Sequence, residues 1–114
     1  MNAKLDYKHK ELASGRWAAF SFCEQMANIG SDVARAINWK RKGNPGLSFE
    51  ALERALELCD LTIDDQKNRD RLKEILRMRE VLADYFLGGN EYGSTDKNWQ
   101  SYFDFFAFSA RAGN

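Results

Sequence analysis

Apolar residues recur at three- and four-residue steps along most of the chain, and no stretch alternates with a period of two. That pattern predicts helices without strands, because a helix returns to one face every 3.6 residues and a strand every second residue. From about Gly15 to Lys42, Phe22, Met26, Ile29, Val33 and Ile37 form one stripe, with Ser14 as the expected N-cap and Gly43 as the stop. Asn44-Pro45-Gly46 makes the turn. Ser48 then reads as the cap of a second helix, with Leu47 stapled onto Leu52 and an inner stripe of Phe49, Leu52, Leu56, Cys59 and Ile63.

A third helix, capped by Asp65 or Asn68, turns Leu72, Ile75, Leu76, Leu82 and Phe86 inward until Gly88-Gly89 stops it. Ser94 or Thr95 opens a fourth, which carries Trp99, Tyr102, Phe103, Phe105, Phe106 and Phe108. Short connections favour antiparallel neighbours, so the predicted fold is all-α: a four-helix up-and-down bundle with a long first helix. Residues 14–114 are expected to form one domain, preceded by a frayed, lysine-rich N-terminal arm over 1–13.

Composition narrows the class. The 114 residues carry 44% hydrophobic and 13% aromatic side chains, which excludes a disordered chain, and 17 basic groups cancel 17 acidic ones. No apolar run reaches the roughly 18 residues of a membrane span, and the start lacks the apolar core of a secretory signal, so a cytoplasmic location is expected. Cys23 and Cys59 lie on apolar-flanked helical positions without a CxxC or a nearby histidine, which reads as reduced core thiols.

Charge is segmental beneath the zero net value. Residues 1–46 hold eight bases and four acids, and residues 47–66 hold one base and six acids. Such blocks can pair across helices, and Lys40, Arg41 and Lys42 suit a helix C-terminus, so nucleic acid is not the expected partner.

No reaction signature is present. His9, in the arm, is the one histidine, which excludes paired Glu-x-x-His di-iron sites and HExxH zinc sites and leaves a Ser-His-Asp arrangement without a motif. Neither GxxxxGK[ST] nor GxGxxG occurs. No catalytic residue, metal or cofactor is expected.

What remains is a polar row on the first helix: Gln25, Asn28, Asp32 and Arg35, flanked by Trp17 and Trp39. It reads as a structural network between helices, as a subunit interface, or as a pocket for an anionic or nucleotide-like ligand with Arg77 or Arg79 assisting. Arg79 falls near the inward side of the third helix and calls for a carboxylate such as Asp32, Glu57 or Asp84. Gly30 costs about 1 kcal/mol in a helix interior, which close approach of another helix would offset. The fourth helix offers more aromatic surface than one inward stripe can use. A partner, a homodimer above all, is therefore expected on Trp99, Tyr102, Phe105, Phe106 and Phe108.

The pieces EQMANIGSDVARAINWKRKGN, ALERALELCDLTI, RLKEILRMREVLADYF and NEYGSTDKNWQSYFDFFAFSAR resemble those of an uncharacterised prokaryotic family of small all-helical proteins. That resemblance implies a bundle and no activity. In helix order and the Gly43-Asn44 break the chain is also similar, more loosely, to HEPN-type bundles, which accompany minimal nucleotidyltransferases in toxin–antitoxin pairs and in some cases cleave RNA. His9 lacks the arginine four to six residues before it that nuclease members use. The similarity therefore implies no RNA cleavage and leaves a partner-binding role open. With the aromatic surplus of the fourth helix, the expected function is a non-catalytic interaction protein, self-associating and open to a companion role beside an enzyme subunit; a nucleotide or anion binder and a nucleic-acid binder are the alternatives.

Overall fold

The computed structural model describes residues 15–113, so the arm over 1–13, the Ser14 cap and His9 lie outside the described residues. Among them the chain is all-helical, with no strand. The long helices are α1 (Phe22–Arg41), α2 (Pro45–Asp64), α3 (Leu72–Leu87) and α4 (Asp96–Arg111). A six-residue 3-10 helix, Gln66–Arg71, precedes α3, and residues 15–18 form a separate helical turn before α1.

The helix expected to run unbroken from Gly15 is therefore in two pieces. Ser21-Phe22-Cys23-Glu24 is the reason: Ser21 Oγ accepts from Glu24 N at 3.1 Å, and Glu24 Oε1 accepts from Ser21 N at 2.8 Å. This reciprocal box satisfies donors that would otherwise be orphaned at a helix start, and it fixes that start at Phe22.

α2 begins earlier than Ser48. Asn44 Oδ1 caps it by accepting from Leu47 N at 3.0 Å, and Pro45 takes the first helical position, where its missing N–H costs nothing. Ser48 is buried one turn inside and donates to Ala36 O on α1 at 2.8 Å, while Leu47, expected as a staple on Leu52, lies inside the helix at an exposed position. Asp65 caps the 3-10 helix rather than α3. Thr95 caps α4 as expected, with Asn98 returning a bond to Thr95 N at 3.1 Å.

α1 packs along both α2 and α4, and α2 along α3. α1 and α4 run antiparallel, since Phe22 meets Phe106 at one end and Arg41 meets Asp96 at the other. α3 and α4 do likewise: Glu74 lies by Tyr102, and Tyr85 donates to Asp96. The core is Met26, Ile29 and Val33 of α1, Leu52 and Cys59 of α2, Ile75 and Leu82 of α3, and Trp99, Phe103 and Phe106 of α4. Phe49 and Leu76, expected inside, are exposed.

Gly30 marks a close approach of α1 and α4. A Cβ there would lie 2.6 Å from Phe103 Cβ, so the ring of α4 occupies the space of the missing side chain.

Candidate functional site

The polar row of α1 does not converge on one cavity. Gln25 is fully buried and fully engaged: its Nε2 donates to Trp17 O at 2.9 Å and to Asp65 Oδ2 at 2.8 Å, and its Oε1 accepts from Asn68 Nδ2 at 2.8 Å. Trp17 Nε1 donates to Thr62 Oγ1 at 2.9 Å, and Lys67 Nζ reaches Ala18 O at 3.1 Å. Together these bonds clasp the 15–18 turn, the start of α1, the end of α2 and the 3-10 helix. Burial alone would raise the Asp65 carboxyl, but hydrogen bonds from Lys67 and Gln25 outweigh it and hold the group below its ordinary range.

Asn28 is exposed and donates to Glu24 O of its own helix. Asp32 is buried, accepts from Arg35 NH1 at 2.7 Å, and has Arg54 NH1 of α2 at 3.8 Å. Burial raises its carboxyl above the ordinary value despite the two arginines. The row is thus two separate devices, a clasp around Gln25 that includes the Asp65–Lys67 ion pair and a charged staple around Asp32, with Asn28 outside both.

Arg79 pairs with Asp60 of α2, Nε to Oδ1 at 2.8 Å and NH2 to Oδ2 at 3.3 Å, which replaces the three carboxylates proposed from spacing. Asp84 instead accepts from Glu91 N and Tyr92 N and shapes the loop before α4. Arg77 lies over the Tyr92 ring at 5.0 Å, with no carboxylate in ion-pair range among the described residues. Lys40 covers Tyr85 and Phe86, Arg41 pairs with Asp96 and Lys42 lies over Trp39, so the basic end of α1 is engaged residue by residue.

On α4, Trp99 and Phe106 belong to the interior and Tyr102 is half-buried. Phe105 and Phe108 are 65% and 67% exposed and lie three residues apart on the outer face. Two grooves flank this helix. One, about 400 Å³, runs between α1 and α4 over Val33, Ile37 and Phe103. The other, about 330 Å³, opens between α3 and α4 and includes Arg77, Met78, Trp99 and Tyr102. Neither contains Gln25, Asn28, Asp32 or Arg35.

Cys59 is buried beside Met78, and burial pushes its thiol up to about 12, so it is an inert core group. Among the described residues, no group of three or more His, Cys, Asp or Glu could hold a metal, and no helix is long and apolar enough to cross a membrane. Comparison with family models, with curated proteins and with solved structures finds no match.

Proposed function

We propose that this protein is a non-catalytic, cytoplasmic interaction module, an up-and-down four-helix bundle that self-associates through the outer face of α4. The observation that carries the reading is the pair Phe105 and Phe108. Two phenylalanine rings, each about two-thirds exposed and adjacent on one helix face, are a hydrophobic cost in water that a partner surface removes. Burying the exposed two-thirds of each ring contributes about 1–2 kcal/mol, so the four rings of a symmetric interface supply part of what offsets the cost of association.

Helix packing accounts for the rest of α4 without a partner, because Trp99, Phe103 and Phe106 are already in the core. A companion enzyme subunit would use the same outer face. Gln25 and Asp32 are engaged in different networks and line neither groove beside α4, which favours the interaction reading over the anion-binding alternative on α1.

The test is Phe105→Glu combined with Phe108→Glu. Both positions are exposed, so the variant is expected to keep its helical circular dichroism and melting temperature at low concentration while losing self-association. Unchanged association in a folded double variant would remove α4 as the interface.

A further inference from the structure

The outer face of α4 has an order that its two exposed rings alone do not show. Ser101, Phe105, Phe108 and Ala112, all exposed, follow one another at steps of four, three and four residues, the spacing of a coiled-coil seam. At about 100° per residue they span a strip about 60° wide, on the side of the helix away from Trp99, Phe103 and Phe106 in the core. The sequence of sizes along the strip, small, large, large, small, is the same read from either end.

Charge lies along one flank of this strip. Lys97, Asp104 and Arg111, all exposed, recur every seven residues and so share the flank nearer α1. The opposite flank carries Asn98, Tyr102 and Ser109 and no charge. Among the described residues neither Asp104 nor Arg111 has an ion-pair partner. The α1 residues beside Asp104, Ala27, Ser31 and Ala34, are uncharged, and Arg111 is about 10 Å further along the helix axis, out of reach within one chain.

We infer that α4 pairs antiparallel with α4 of a second copy, with Asp104 of each chain bonded to the partner's Arg111; the inference rests on the self-association proposed above. A two-fold axis passing between Phe105 and Phe108 sets each Phe105 against the partner's Phe108 and each Ser101 against the partner's Ala112. The same axis turns the charged flank of one chain to the charged flank of the other. Asp104 and the partner's Arg111 then lie about 3 Å apart along the axis, an offset that closes because helical side chains lean toward their own N-terminus. A parallel pairing turns the charged flank to the uncharged one and leaves every charge unmatched. An acid and a base that complement each other only across a two-fold axis commit this face to a second copy in one orientation.

The experiment is sedimentation equilibrium of the full chain, giving a dimer dissociation constant for wild type, Asp104→Arg, Arg111→Asp and the two exchanges combined in one chain, each checked for helical circular dichroism. Each single exchange turns two attractive contacts into repulsive ones and is expected to weaken the dimer about tenfold. The combined exchange restores opposite charges at both contacts and is expected to return the constant close to wild type. A wild-type dimer whose constant the single exchanges leave unchanged overturns the antiparallel pairing alone, as does a combined variant no tighter than the weaker single one. A wild-type chain that stays single removes the self-association reading itself, and the pairing with it.

Discussion

Gln25 satisfies three partners from inside the molecule, and its removal leaves a carboxylate, an amide and a backbone carbonyl short of a bond at once. Gln25→Ala is expected to destabilise the fold by about 2–3 kcal/mol in urea denaturation, because each abandoned buried polar group bears its own desolvation cost. Asp32 and Asp65 give opposite pH signatures. The folded-state value of Asp65 is lowered, so its contribution is present above the unfolded value of about 3.9 and is lost as pH falls through the folded one. That of Asp32 is raised: between the unfolded and folded values the native state holds the extra proton, and stability falls as pH rises through that interval. Urea midpoints across the acid range should show Asp65→Asn flattening the acid loss and Asp32→Asn removing the opposing slope. Position on a helix made Gln25 and Asp32 visible in the sequence, but the pairing of Gln25 with Asp65 and Asn68 was not, since they lie 40 and 43 residues further along the chain.

At the scale of elements, stripes were more legible than boundaries. Met26, Ile29, Val33 and Ile37 are buried as their spacing predicts, whereas the break before α1 depended on a four-residue box lying inside an otherwise continuous stripe. Ser21→Ala is expected to cost about 1 kcal/mol of stability in the same denaturation measurement, and to let the 15–18 turn and α1 compete for one register. Ser48 misled for a comparable reason: a serine one turn into a helix resembles a cap until its hydroxyl is seen reaching Ala36 O. Gly30 was informative from sequence because a mid-helix glycine demands a reason, and Phe103 is that reason. Gly30→Ala gains about 1 kcal/mol of helix propensity but forces α1 and α4 apart at a contact close to the backbone. A net loss of thermal stability is expected, and a gain would contradict the close approach.

For the whole molecule, three ion pairs join neighbouring helices, Arg79 of α3 with Asp60 of α2, Arg54 of α2 with Asp32 of α1, and Arg41 of α1 with Asp96 of α4, and none of them links a base of residues 1–46 to an acid of residues 47–66. Phe105 and Phe108 of α4 are the most exposed of the large apolar side chains among the described residues. The sequence pointed to surplus aromatics without dividing Trp99 and Phe106 from Phe105 and Phe108; Lys97, Gln100, Ser101 and Asp104, at three- and four-residue steps, mark the exposed face that Phe105 and Phe108 join. The measurement that tests the central claim most directly is the absolute solution mass by light scattering across a range of concentrations. A chain of 13.1 kDa is expected to give twice that mass at high concentration, and the folded Phe105→Glu, Phe108→Glu variant the single-chain mass throughout. A wild-type protein that stays at the single-chain mass at every concentration would contradict the account.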